Sequence, residues 1–140
     1  MQKHHLVPRQ ILANRSFGPL FAHIGQGTVG YDDFRRNGVL LPARENAVRR
    51  TGLPLHRGPH RVYSEMVAER MGQIEGGWAE LRGRAPEVAV EQAIMRLGLL
   101  QRALRKRLVT SGGKRLILNR KDPLGTGFDF STLDAMAELL

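Results

Sequence analysis

Glycine and proline are so frequent in the first sixty residues that this part of the chain has room only for short secondary-structure elements. The apolar pair Leu6-Val7, closed by Pro8, predicts a strand. Residues 38–42 predict a second strand, opened by an Asn-Gly turn. Between the two strands, residues 9–24 predict one or two short helices, and residues 43–50 predict another helix that ends at Gly52.

From residue 60 onward, the apolar side chains recur at helical spacing. They predict a helix over residues 60–74, ended by Gly76-Gly77. The strongest amphipathic pattern of the chain covers residues 86–108 and predicts a helix packed against the core. Its apolar stripe consists of Val90, Ile94, Leu97, Leu100, Leu104 and Leu108.

The last thirty residues carry weaker signals. Ser111-Gly112-Gly113 predicts a turn, and residues 115–118 predict a strand. Ser131-Thr132-Leu133-Asp134 resembles a capping box, which predicts a helix that continues to Leu140.

The composition is that of one folded domain. The chain has 140 residues, 41% of them hydrophobic, and no apolar run approaches the roughly 18 residues of a membrane span. The absence of cysteine excludes disulfides, thiolate metal sites and cysteine nucleophiles, so a metal would need His, Asp, Glu or Asn ligands. No signal-peptide-like stretch follows residues 1–5. We expect the natural chain to continue upstream of Met1, because chemically interesting residues already begin at position 4.

The net charge of +9 predicts a polyanionic partner. Most of the basic residues are arginines, which favours planar, bidentate contacts to phosphate. Residues 102–121 hold eight bases and no acid, whereas residues 122–140 hold four acids and no base. A basic surface kept for solubility, or for an acidic protein partner, is the alternative interpretation.

Four of the five histidines form two groups, the adjacent pair His4-His5 and the spaced pair His56 and His60. Three imidazoles from these pairs would bind one cation and leave the fourth free as a base, which suits phosphodiester hydrolysis. A surface histidine pair at a frayed terminus is the competing interpretation. His23 stands alone in an apolar stretch and is interpreted as a packed or surface residue. Asp32-Asp33 is interpreted as an exposed turn.

Three sequence blocks, in this order, resemble a known family. They are His4-His5-Leu6-Val7-Pro8, Asn37-Gly38-Val39-Leu40-Leu41-Pro42 and Leu55-His56-Arg57-Gly58-Pro59-His60-Arg61-Val62-Tyr63. Together they resemble the AHH branch of the HNH/endonuclease VII superfamily, whose His-Me finger nucleases occur as toxin domains of bacterial polymorphic toxins. The resemblance covers roughly the first 70 residues.

The resemblance implies an α+β fold with a ββα-metal (His-Me finger) core and additional helices. One strand would carry the histidine pair, a second strand would follow the Asn-Gly block, and a helix would begin after the last histidines. We therefore expect residues 1–140 to form a single nuclease domain. Residues 1–75 would be the core, and residues 76–140 a helix-rich extension.

The resemblance also implies a role for each matching residue. His5 would be the general base, and Asn37 would help to hold the His5 ring through its carbonyl or side chain. His4, His60 and His56 would bind a divalent metal ion, either Mg²⁺, Mn²⁺ or Zn²⁺. Because proline disfavours a helix interior, His56 is expected in the approach loop and His60 in the first helical turn.

The resemblance also implies that Arg57, Arg61 and Tyr63 line the path of the substrate phosphates, and Lys3 is expected to add a phosphate contact through its own charge. The sequence departs from the family pattern at Lys3, where the family name has Ala, and at Ser64, where relatives often carry Asn. Lys3 adds a positive charge next to the site, and Ser64 is not expected to bind the metal.

These observations predict a metal-dependent endonuclease that acts on DNA. As implied by the resemblance, it would be a delivered antibacterial toxin domain that acts in the cytoplasm of the target cell and is inhibited by an acidic immunity protein. Two alternatives stay open at this point. One is an RNase of the same fold, and the other is a non-catalytic, zinc-stabilised nucleic-acid-binding module.

Overall fold

A computed structural model describes residues 1–58, 60–110 and 116–124 of the chain. It is a helix-rich α+β structure with one small antiparallel sheet. In chain order the elements are β1 (Gln2–His5), α1 (Arg9–Ala13), α2 (Gly18–Ile24), α3 (Gln26–Val29), α4 (Phe34–Asn37), β2 (Gly38–Leu41), α5 (Glu45–Thr51), α6 (Arg61–Leu81) and α7 (Pro86–Val109). A short 3-10 turn, Arg15–Phe17, precedes α2.

The two strands pair in antiparallel register, with Gln2 opposite Leu41 and His5 opposite Gly38. The strand predicted over residues 38–42 is confirmed, but the one predicted at Leu6-Val7 is wrong. Leu6 and Val7 are fully buried in a bend that follows β1, because Pro8 caps α1 and the chain must turn there. Their apolar character reflects core packing, and the ladder is formed by the polar residues before them.

Short helices occupy the glycine- and proline-rich region, as predicted. α1 and α2 lie within residues 9–24, and α5 lies close to the predicted residues 43–50. Gly52 ends α5 with a φ of +70°, a left-handed conformation that glycine adopts without steric cost. The sequence analysis did not predict α3 and α4, each of which has four residues.

The two long helices form a hairpin, joined by residues 82–85. α7 confirms the helix predicted over residues 86–108. The predicted end of α6 at Gly76-Gly77 is wrong, because the helix continues to Leu81. A Cβ atom on Gly77 would lie 2.7 Å from the guanidinium of Arg96 on α7, so the Arg96 side chain packs over this glycine. Packing against α7 offsets the helix-propensity cost of glycine, which is about 1 kcal/mol per residue.

One hydrophobic cluster extends from Leu6 to Leu118 and includes residues of both long helices. The strand predicted over residues 115–118 is wrong for its described part, since residues 116–118 pack in the core without strand pairing. The predicted turn at residues 111–113 and the predicted helix at residues 131–140 lie outside the described residues. No helix within the described ranges is both long and apolar enough to cross a bilayer.

Candidate metal and catalytic centre

The adjacent histidines of β1 lie on opposite faces of the strand, as the period of two residues requires. His4 faces inward and is 1% exposed, whereas His5 is half-buried on the other face. The two imidazoles therefore have different surroundings, although the residues are neighbours in sequence.

His4, His56 and His60 converge on the inner side of β1. Each contributes one ring nitrogen to a group whose atoms all lie within 4.8 Å of one another. His56 lies in the loop before α6, and His60 is the N-cap residue of that helix. The ring centroid of His4 is 5.0 Å from that of His56 and 4.9 Å from that of His60. The structure thus brings together three of the four histidines of the two sequence pairs.

Two polar side chains orient the outer rings of this cluster. Nδ1–H of His56 donates to Oε1 of Gln2 at 3.1 Å, since an amide oxygen can only accept. Nδ1 of His60 lies 3.2 Å from the hydroxyl of Ser64, one helical turn further along. With Nδ1 engaged in both rings, Nε2 of each is left available as a ligand atom.

Burial keeps the cluster neutral. Removal from water, reinforced by the neighbouring His60 and His56, lowers the pKa of His4 to about 2. Burial also lowers the pKa of His56 and of His60 below the usual value for histidine. Neutral imidazole is the form that binds metals.

His4 shows the clearest fit to a metal. Both of its ring nitrogens are buried and have no hydrogen-bond partner within the described parts of the chain. A buried polar atom without a partner costs about 1–3 kcal/mol. A cation at the cluster would give one of these nitrogens a ligand role, so the donor set present fits a divalent metal ion.

The opposite face of β1 is built differently. The His5 ring stacks in parallel on Tyr31, with the centroids 4.4 Å apart. Arg9 lies over the outer side of that tyrosine and donates to its hydroxyl at 3.4 Å. His5 and Tyr31 line a cavity of about 250 Å³ whose other lining residues are Lys3, His4, Asp32, Phe34, Asn37 and Gly38. This cavity gives His5 access to a small ligand.

Asn37 fastens the end of β1 to the start of β2. Its carbonyl accepts from the Leu6 amide at 2.9 Å, and its side chain accepts from the Val7 amide at 2.8 Å. The side-chain amide donates to the carbonyls of Val7 and Tyr31. No hydrogen bond joins Asn37 to the His5 ring in the described residues. Asn37 instead fixes the backbone on either side of that ring.

Tyr63 corrects the expectation that it lies on the substrate path. It is 2% exposed, and its hydroxyl donates to the Leu6 carbonyl at 2.6 Å. Burial raises the pKa of this phenol well above its ordinary value. Tyr63 therefore ties α6 to the chain after β1 and packs against the His4 ring, 4.7 Å away.

The other three residues predicted to bind substrate are exposed. Lys3 lines the His5 cavity. Arg57 and Arg61 follow His56 and His60 directly, so they flank the histidine cluster.

The loop that carries His56 is held from a distant part of the sequence. The Leu55 amide donates to the Asp122 carboxylate at 3.1 Å, and the Asn119 side chain donates to the Arg57 carbonyl at 2.6 Å. The His56 amide donates to the Pro42 carbonyl at 2.7 Å. Residues 116–124 therefore help to position one histidine of the candidate metal site.

The remaining polar candidates behave as expected. His23 is exposed, shares a hydrogen bond with the Pro19 carbonyl and is not a member of the cluster. Asp33 caps α4 by accepting from the Arg35 amide, and Asp32 is an exposed turn residue.

Sequence reasoning missed Gln2, Ser64 and Tyr31. Two of them carry a usable signal, because Gln2 lies two residues before His4 on the same strand face, and Ser64 lies four residues after His60 on the same helix face. Tyr31 has no such signal. Tertiary folding alone brings it onto His5.

A comparison with protein-family models finds one family. The model of AHH, described as a nuclease family of the HNH/ENDO VII superfamily with conserved AHH, matches residues 1–98. At the motif that names the family, this chain has Lys3-His4-His5. No curated protein and no solved structure matches the chain significantly.

Proposed function

We propose that this chain, which belongs to the AHH nuclease family, is a metal-dependent endonuclease that hydrolyses phosphodiester bonds of DNA. Membership of that family makes it a nuclease, and hence a hydrolase that acts on nucleic acid. The observation that supports the metal dependence is the cluster of His4, His56 and His60. Within the described residues, the buried His4 ring has no hydrogen-bond partner.

The same cluster supports a ββα-metal core. β1 presents His4, β2 pairs with β1, and α6 begins immediately after His60. The Tyr63 hydroxyl fastens the helix to the chain that follows β1. We assign residues 1–75 to this core and residues 76–140 to an extension of the same domain. The continuous hydrophobic cluster supports this assignment.

Three imidazole ligands would hold the metal and leave room for substrate oxygen. An all-nitrogen donor set suits Zn²⁺ better than Mg²⁺, and Mn²⁺ lies between them in hardness. When bound, the cation supplies Lewis-acid stabilisation of the phosphate and of the leaving oxygen. Gln2 sets the tautomer of His56, and Ser64 engages Nδ1 of His60, so Nε2 of each ring would be the ligand nitrogen.

His5 would act as the general base. Its ring lines an open cavity and is fixed against Tyr31, so a ring nitrogen can accept a proton from water. The water oxygen then forms a bond to phosphorus while the bond to the leaving oxygen breaks. Asn37 positions the backbone around His5, and Lys3, Arg57 and Arg61 would contact phosphate oxygens.

Plasmid nicking tests this function. Chelator-treated protein should be inactive, and Mg²⁺, Mn²⁺ or Zn²⁺ should restore activity. His5→Ala should lower the rate by about 10²–10⁴-fold. His23→Ala, which changes an exposed histidine outside the cluster, is the matched control. Full activity of His5→Ala would contradict the mechanism, and cleavage of an RNA of equal sequence in place of DNA would assign the chain as an RNase.

We also propose the biological role of an antibacterial toxin domain that acts in the cytoplasm of the target cell. The support is the sequence resemblance and the net charge of +9, which would steer an acidic immunity protein to the enzyme. Expression of the wild-type chain in bacterial cytoplasm should stop growth, whereas His5→Ala should be tolerated. Co-expression of the product of a neighbouring gene should restore growth if that product is the inhibitor.

A further inference from the structure

A second concave site lies next to the histidine centre, between α4 and α7. It is a cavity of about 360 Å³ lined by Arg35, Arg36, Gly98, Gln101, Arg102 and Arg105, here called the arginine groove. We propose that the arginine groove binds backbone phosphates of the nucleic-acid strand on one side of the scissile bond. This proposal rests on the proposed function.

Contacts with the backbone hold two of the four arginines of the groove in place. The Arg105 guanidinium donates to the Gly38 carbonyl at 3.0 Å and to the Phe34 carbonyl at 3.4 Å through one nitrogen. Arg36 packs its stem on Gly30, where a Cβ atom would lie only 3.0 Å from it. All four arginines line this one cavity, where Arg35, Arg36 and Arg102 are exposed and Arg105 is half-buried.

The floor of the groove is polar and rigid. Gln101 is buried there, and its side chain donates to the Val29 carbonyl at 2.8 Å and to the Asn37 side chain at 3.2 Å. Gly98 leaves space above α7, and the Arg102 guanidinium lies 3.5 Å from the position that a Cβ atom would take there. Arg102 thus folds back over the groove.

The positive charge of the groove is uncompensated within the described residues. In those ranges, no carboxylate lies within the 4.0 Å of an ion pair from any of its four arginines. Four guanidinium groups around one small cavity repel one another, and an anion removes that repulsion. Phosphate, like carboxylate, can accept two parallel hydrogen bonds from the planar fork of arginine, and its further oxygens can bind a second guanidinium at the same time.

The position of the groove indicates which phosphates it binds. Phe34 lines the His5 cavity, and the next two residues, Arg35 and Arg36, line the arginine groove. Gly38, which accepts from Arg105, is the strand partner of His5. One short segment, residues 34–38, therefore separates the two cavities. A strand whose scissile phosphate lies at His5 reaches the groove by crossing α4.

Phe34 supports this path. Its side chain is 43% exposed, although it is a large aromatic residue between two polar cavities. An exposed aromatic ring beside a basic groove is suited to stack on a nucleobase of the crossing strand. A small concavity also favours a phosphate over the broad surface of an acidic protein, because stable protein interfaces bury roughly 1,200–2,000 Å² in total.

The test measures binding and cleavage separately. A labelled DNA duplex is titrated by fluorescence anisotropy with His5→Ala protein, which prevents cleavage, over a range of salt concentrations. In this background, Arg35→Gln together with Arg102→Gln should raise the Kd for the duplex about tenfold. The slope of log K against log salt should become shallower by about 1.8, which corresponds to two lost phosphate contacts.

The matched control is Arg82→Gln with Arg84→Gln. It removes the same charge from the turn between the long helices, about 18 Å along α7 from Gly98. Arg105 is left unchanged because it holds the backbone of residues 34 and 38. If the two double variants changed the Kd and the salt slope equally, the proposal that the arginine groove binds phosphate would be overturned. The proposal would also be overturned if the groove variant kept its duplex affinity and lost binding of poly-glutamate, because the groove would then serve an acidic protein.

The result separates this inference from the proposed function. Wild-type protein that cleaves DNA, together with groove variants of unchanged affinity and slope, would overturn the groove and leave the nuclease intact. Conversely, a groove-dependent affinity in a protein that never cleaves nucleic acid would overturn the proposed function and support the phosphate site.

Discussion

The two faces of β1 present the same side chain to different surroundings. His4 points into a cluster with His56 and His60, where burial lowers its pKa to about 2. His5 points into an open cavity, stacked on Tyr31 and bordered by Lys3. A neutral imidazole without hydrogen bonds suits a metal, whereas an accessible imidazole suits proton transfer. Strand alternation therefore gives two adjacent histidines the different surroundings that the proposed ligand and the proposed base require.

The largest expected effect comes from replacing the histidine on each face of β1 separately. His4→Ala should weaken Zn²⁺ binding by more than about 100-fold, because a direct ligand has a larger effect than its supporting groups, which contribute about 10–100-fold. His5→Ala should change the Zn²⁺ affinity by less than about twofold, since its ring lies on the other face. Isothermal titration calorimetry checks both values. Equal losses in the two variants would show that the faces do not divide the chemistry.

A smaller effect is expected in the pH dependence of stability without metal. Unfolded His4 titrates at its ordinary pKa of 6.5, whereas folded His4 stays neutral down to about 2. Between these values the unfolded state binds the additional proton. The contribution of His4 to the unfolding free energy is therefore fully present above pH 6.5 and decreases as the pH falls through this window. At about pH 5 the loss from His4 is about 2 kcal/mol.

Urea unfolding of chelator-treated protein, measured at neutral and at mildly acidic pH, gives that loss. His4→Phe should show a flatter pH dependence of the unfolding free energy than the wild type. His56 and His60 contribute in the same direction, since burial lowers their pKa values as well. An unchanged pH dependence in His4→Phe would contradict the assignment of this effect to His4.

The smallest expected effect concerns the support of His5. Tyr31→Leu removes the stacked ring and should lower kcat by about 3–10-fold, which corresponds to the 0.5–1.5 kcal/mol of an aromatic pair. Tyr31→Phe keeps the ring and should remain close to wild type. Metal affinity should stay unchanged in both variants. Loss of metal binding in Tyr31→Leu would show that the tyrosine stabilises the cluster instead of the base.

The sequence predicted the elements whose signals are local. The periodic stripe of α7 predicted that helix, and the break at Gly52 predicted the end of α5. The prediction failed where packing overrides a local preference. Gly76-Gly77 predicts the end of α6, but packing of this helix against α7 offsets the low helix propensity of the glycines. Leu6 and Val7 have the apolar character of a strand, yet the ladder uses the four polar residues before them.

By itself the sequence determined the chemistry that is available. It supplied two histidine pairs, an excess of arginine and no cysteine, so a metal site would depend on nitrogen and oxygen ligands, and arginine would supply most phosphate contacts. Only the tertiary structure decided which residues meet. The His56 loop depends on Asp122 and Asn119, more than sixty residues away, and Tyr31 reaches His5 through a turn without sequence signal. Such contacts depend on the packing of the whole core, which no local pattern encodes.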